Sequence, residues 1–126
     1  MSDNIDFATF AHAEKSWTGN QALTTSFADV TTLDVSSFPT GAVVAIMTVA
    51  NYGGDVNGAG TTSRIVYNGA TLHTSYMVTF WARSNTCLAT FTKAAGADTV
   101  TFRASKDNAN SSCNCLNIQF VAWRIG

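Results

Sequence analysis

From Leu23 onward, apolar and polar residues follow one another in short runs rich in Val, Ile, Thr, Phe and Trp, divided by clusters of Gly, Asn, Ser and Asp. Such runs bounded by turn formers predict β-strands. The pattern places them at Phe27 to Val35, Ala42 to Val49, Arg64 to Tyr67, Ala70 to Leu72, Ser75 to Ala82, Thr86 to Thr92, Thr99 to Ala104 and Leu116 to Ile125. Pro39 falls in Ser36-Ser37-Phe38-Pro39-Thr40-Gly41, where a fixed φ and a missing donor suit a turn and would harm a central strand. Asn68-Gly69, between two apolar runs, predicts a two-residue type I′ hairpin, because both its central positions need φ > 0. Asp98 marks a further turn before Thr99. About eight strands in antiparallel succession fit a two-sheet sandwich, an all-β fold.

The alternation also shows how many faces each strand buries. Thr99 to Ala104 separates into Val100, Phe102 and Ala104 against Thr99, Thr101 and Arg103, as a strand with one wet face should. Ala42 to Val49 is apolar on both parities. The last strand sets Leu116, Ile118, Phe120 and Ala122 on one side and Val121, Trp123 and Ile125 on the other. Ser75 to Ala82 behaves alike, with Tyr76, Val78 and Phe80 against Met77 and Trp81. A lone sandwich buries one face of each sheet, so the surplus apolar faces call for cover, either by the N-terminal arm folding back or by a neighbouring subunit. A homo-oligomer is the favoured expectation.

Residues 1–20 lack strand alternation and form an arm ahead of a domain spanning 21–126. The arm is read as extended or as a short helix from Phe7 to Lys15, since Phe7, Phe10, Ala11 and Glu14 fall at i, i+3, i+4 and i+7. Its aromatics Phe7, Phe10 and Trp17 are candidate contacts to a neighbouring subunit.

Composition narrows the classes of function. The chain has 126 residues, 46% hydrophobic and only 12% charged, with seven basic against eight acidic side chains. There is room for one core and no basic run to neutralise a row of phosphates, so nucleic acid is not an expected partner. No run of about eighteen apolar residues is present, and Met1 to Phe10 lacks the basic start and apolar stretch of a secretory signal. The product is therefore expected to assemble in a cytoplasm without a membrane partner. Cys87, Cys113 and Cys115 are odd in number. A bridge from Cys87 to either of the others requires their strand ends to meet, a Cys113-Cys115 bridge would be strained, and reduced thiols are expected in a cytosol.

Candidate chemistry is sparse. His12 and His73 are the only histidines, and the neighbours Thr74 and Ser75 do not make His73 a hydroxyl-imidazole pair, since adjacent strand residues point to opposite faces. The aspartates read as turn or solvating residues. Cys113-Asn114-Cys115 lacks zinc-knuckle spacing, and Asp55-Val56-Asn57-Gly58 begins an oxygen-ligand pattern that no acidic residue closes before Arg64. No enzyme activity, cofactor or metal is expected. The glycine-rich stretch Asn51 to Ser63 reads as a long surface loop with Tyr52, Asp55 and Asn57 as candidate contacts, and Ser105 to Ser112 as a second polar loop.

Thr25-Ser26-Phe27-Ala28-Asp29-Val30 opening the first strand, Gly96-Ala97-Asp98-Thr99-Val100-Thr101-Phe102 late in the chain, and the ending Arg124-Ile125-Gly126 together resemble modules of tailed-bacteriophage structural proteins, the trimeric jelly-roll decoration (cement) proteins and the head domains of fibres. The resemblance covers residues 20–126. It implies a jelly-roll type of sandwich, a trimer, attachment to a major capsid protein at the virion surface, and no catalytic residues. The alternative it carries is a receptor- or glycan-binding head, in which Tyr52, Trp81 or Trp123 would stack on sugar rings.

Overall fold

A computed structural model describes residues 12–54, 59–79 and 83–126. Eight strands follow in order: β1 (His12–Ala22), β2 (Ala28–Asp34), β3 (Val43–Gly54), β4 (Ala59–Tyr67), β5 (Ala70–Thr79), β6 (Arg83–Thr92), β7 (Thr99–Lys106) and β8 (Cys113–Arg124). They form two antiparallel four-stranded sheets, β1-β8-β3-β6 and β2-β7-β4-β5. This alternation of strands between two sheets is the jelly-roll order.

Three elements differ from the sequence expectation. Residues 12–20, expected in the arm, lie in β1 and pair along β8 from His12 opposite Trp123 to Ala22 opposite Asn114. The helical option is replaced there by a strand, whose inward positions Ala13 and Trp17 rest against the core; the rest of that option, residues 7–11, lies outside the described residues. The expected loop from Asn51 to Ser63 is mostly strand, because Asn51 to Gly54 complete β3 and residues 59–63 begin β4. Three of its polar residues are paired inside: Tyr52 Oη and Ser63 Oγ lie 2.6 Å apart, and Thr61 Oγ1 is 3.0 Å from Cys113 Sγ. Finally, Ala70 to Leu72 and Ser75 onward are one strand, with a register shift opposite Ile65/Val66.

The core lies between the sheets. Val44, Ile46 and Ala50 of β3, Ile118, Phe120 and Ala122 of β8, Ile65 of β4 and Val100, Phe102 and Ala104 of β7 are all buried. Phe102 and Phe120 meet edge to face across it, with ring centroids 6.3 Å apart. Leu116 is absent from this inward series. A bulge between Asn51 and Tyr52 puts Asn117 opposite Asn51 but Cys115 opposite Tyr52, which leaves Leu116 as the extra residue.

The two ends of the sandwich differ. Gly41, Asn68, Gly69 and Gly96 have positive φ, and all sit at the end where β2, β4, β6 and β8 finish. Asn68 and Gly69 (φ 50° and 77°) make the expected hairpin between β4 and β5. Tyr67 locks this end: its hydroxyl accepts from Ala94 N and donates to Ala97 O, both at 2.8 Å, while Lys93, 4% exposed, reaches Asp98 at 3.0 Å. The connections 23–27 and 107–112 leave from the opposite end, together with the strand ends that flank 55–58 and 80–82.

Both open seams between the sheets are closed by side chains. Lys15 Nζ donates to Thr32 O at 2.9 Å and Gln21 Nε2 to Asp29 O at 3.3 Å, joining β1 to β2. On the other side His73 Nδ1 sits 3.0 Å from Leu88 N and 2.8 Å from Leu88 O, and Asn85 Nδ2 donates to Ser75 O at 3.2 Å. These groups occupy edge-strand backbone that would otherwise be open to another strand.

None of the three cysteines is in a disulfide, and all three are buried. Burial pushes the Cys115 thiol up to about 12 from an ordinary value of 9.0, and raises Cys87 and the Tyr52 phenol as well. A group whose proton is held more tightly in the folded state contributes stability that is complete below its unfolded pKa and is lost as pH rises toward the folded value. Urea denaturation midpoints should therefore be flat up to pH 9 and fall between pH 9 and 12. The fall should be shallower in Cys115→Ala, and an unchanged alkaline slope in that variant would show that Cys115 is not the group responsible.

Candidate functional site

The strongest candidate site is the outer face of β1-β8-β3-β6. Its register builds side-chain rows across the strands: His12, Trp123, Ala45 and Thr90; then Glu14, Val121, Met47 and Leu88; then Ser16, Gln119, Val49 and Thr86; then Thr18, Asn117, Asn51 and Ser84. The first two rows are apolar on both central strands, β8 and β3, the third keeps Val49 on β3 beside Gln119 on β8, and all three are polar on the flanking β1. Met47, Val49, Val121 and Trp123 are half-buried, and Leu88 is 57% exposed. None of the five belongs to the inner core or to the apolar residues packed against it. The two-sided apolarity of β3 and β8 thus has one side for the core and one that faces outward.

A groove of about 510 Å³ runs along this face between Glu14 and Ser16 on one side and Met47, Val49, Gln119 and Val121 on the other. At about 4.8 Å between strands and about 3.3 Å per residue, the apolar patch covers on the order of 300 Å². That lies within the range of about 300 to 600 Å² for the largest apolar patches of single chains, which are often functional.

The fourth row ends the patch with hydrogen bonds. Asn51 Nδ2 donates to Asn117 Oδ1 at 2.5 Å, Ser84 Oγ donates to Asn51 Oδ1, and Asn114 Nδ2 donates to Asn20 Oδ1 at 2.7 Å. These amides bond to one another and form a polar border to the patch.

The residues expected at a contact site scatter. Trp123 lies on the apolar face. Trp17 does not, because it pairs with inward-facing Ile118 and rests against the core, with its ring over Gly19. Tyr52 is fully buried, 0% exposed, and bonded to Ser63; the inward parity of β3 removes it from any surface role. Phe7, Phe10, Asp55, Asn57 and Trp81 lie outside the described residues. Sequence reading missed Met47, Val49, Leu88 and Val121 as site residues; the two-sided apolarity of 42–49 and 116–125 was the signal for Met47, Val49 and Val121, and Leu88 had none. Among the described residues no group of three or more His, Cys, Asp or Glu could hold a metal ion.

No family model matches the sequence, and no curated protein does so either. Among solved structures, the chain is similar to part of dimeric latent PorU from Porphyromonas gingivalis, with a TM-score of 0.54 at 11% identity over 90% of this chain. It spans 13% of that protein's length. It is also similar to Eiger TNF from S. frugiperda, with a TM-score of 0.47 at 7% identity over 93% of both chains. A carbohydrate binding module, CBM6cm-2 from Cellvibrio mixtus lichenase 5A, gives 0.41 at 11% identity over 87% of this chain and 95% of that one. At these identities the likeness to PorU concerns the fold alone.

The amide border has a measurable weight. Asn51→Ala leaves Asn117 and Ser84 without their shared partner, and should cost about 1 to 2 kcal/mol in urea denaturation. Gln119→Ala, exposed on the same face, should stay within about 0.5 kcal/mol. Equal effects of the two would show that the border is not a structural element.

Proposed function

We propose that this chain is a structural jelly roll of a virion, a capsid decoration protein that assembles as a homotrimer through the outer face of β1-β8-β3-β6 and binds the major capsid protein of the shell. The observation that carries this reading is the apolar patch of Met47, Val49, Leu88, Val121 and Trp123, outside the core and bordered by amides that bond to one another. An interface has this anatomy, with an apolar centre depleted of charge inside a polar rim. Stable contacts bury about 800 Å² per partner, so the patch would form the centre and the polar rows the rim. A protein that binds only the assembled shell stabilises it by mass action.

In this reading residues 1–11, ahead of β1, make contacts with the shell, and residues 12–22 belong to the domain itself. Catalysis has no part in it.

Sedimentation should give about three times 13.4 kDa. The double variant Leu88→Glu, Val121→Glu should sediment as single chains with the same far-UV spectrum, because it places charges where the interface centre would be. A wild-type monomer at micromolar concentration would remove self-assembly from the proposal. Deleting residues 1–11 should lower occupancy on capsids while leaving the trimer intact, and unchanged occupancy would take that segment out of the attachment.

A further inference from the structure

The outer face of the other sheet has the opposite chemistry. Its register brings Thr32, Thr101, Val66 and Thr71 into one row and Asp29, Arg103, Arg64 and Thr74 into the next. Threonines outnumber the apolar side chains Val66 and Tyr76 on this face, where the first sheet carries Met, Val, Leu and Trp. In the middle two arginines are direct cross-strand partners, Arg64 on β4 and Arg103 on β7. Like charges placed opposite one another on a sheet repel unless something compensates them.

The compensation covers one of the two. Arg103 Nε lies 2.7 Å from Asp29 Oδ1, an ion pair without hydrogen-bond alignment, and its Nη2 donates to Phe27 O at 3.2 Å. Arg64 lies over the Phe27 ring, 3.8 Å from its centroid, and its buried Nε has no hydrogen-bond partner. Phe27 therefore holds both guanidinium groups, one by its carbonyl and one by its ring. Among the described residues no carboxylate faces Arg64 in an ion pair. In a chain with a formal charge of -1, two cations thus stand side by side with one counter-ion among the described residues.

We propose that Arg64 and Arg103 form an anion-binding subsite, and that the outer face of β2-β7-β4-β5 takes an acidic polysaccharide carrying carboxylate or sulfate groups. A guanidinium fork matches such oxyanions with two parallel hydrogen bonds. The surrounding hydroxyls both donate and accept, which suits sugar hydroxyls. A protein partner is the poorer fit, since this face lacks the apolar centre that a protein interface requires. The proposal is independent of the assembly reading, because it uses the other sheet and none of the same residues.

The test uses the full chain with polygalacturonate, dextran sulfate, neutral dextran and polyglutamate in affinity electrophoresis. Binding to at least one acidic polysaccharide is expected, weakening as salt rises, with none to neutral dextran. The two acidic polymers separate carboxylate from sulfate preference. Arg64→Gln should weaken binding by about tenfold or more, the order expected for losing a charge-assisted bidentate contact. Arg124→Gln, which removes an exposed cation from the end of β8, should leave it unchanged. Should Arg64→Gln lower the unfolding temperature, Arg64→Lys is read instead; it keeps the charge, loses the fork, and should still weaken binding. The proposal is overturned by binding to neither acidic polysaccharide, by equal losses in the Arg64 and Arg124 variants, or by polyglutamate binding as tightly as the sugars.

Discussion

The pairing of β3 with β8 at the centre of one sheet is the constraint from which the other features follow. Both strands alternate apolar residues on both parities, so the register that points Val44, Ile46, Ile118 and Phe120 inward also points Met47, Val49, Val121 and Trp123 outward. A slip of one residue would exchange the two sets, and with them core and surface. The bulge at Asn51/Tyr52 limits the outward series at one end. Asn51 and Asn117 are the last outward pair before it; beyond it Tyr52, Cys115 and Cys113 lie inward and Gly53 pairs with Asn114 on the outward side. Apolar patch and amide border therefore arise from one pairing and one irregularity in it.

Much of this was legible in the residues. Period-two patterning gave an all-β sandwich, and the two-sided apolarity of 42–49 and 116–125 marked the strands that need cover on both sides. Three things were hidden for physical reasons. β1 carries Glu14, Lys15, Ser16 and Gln21, so as an edge strand it buries little and shows little alternation. The Asn51 to Ser63 stretch reads as loop because its buried polar residues are paired with one another across the sheets, and pairing of that kind has no signature in one dimension. The bulge was invisible because an extra residue leaves local composition unchanged while reversing every parity beyond it.

The two outer faces divide the molecule chemically. One is apolar and bordered by amides that bond to each other; the other is rich in threonine and centred on paired arginines held by Phe27. Their separation by the full thickness of the core allows one to be covered while the other stays in contact with solvent. It also makes their contributions separable, since residues this far apart and without shared partners act additively.

The side chains that close the seams have a consequence for how large an assembly can grow. Lys15, Gln21, His73 and Asn85 already occupy backbone groups along the sheet edges. Lateral addition of strands, which can be repeated without end and gives ribbons or fibres, must first displace them. Face-to-face contact involves no such displacement, and a rotation that returns to its starting point leaves no face over for a further copy. The bonded edges thus oppose ribbon-like strand addition within the single chain itself.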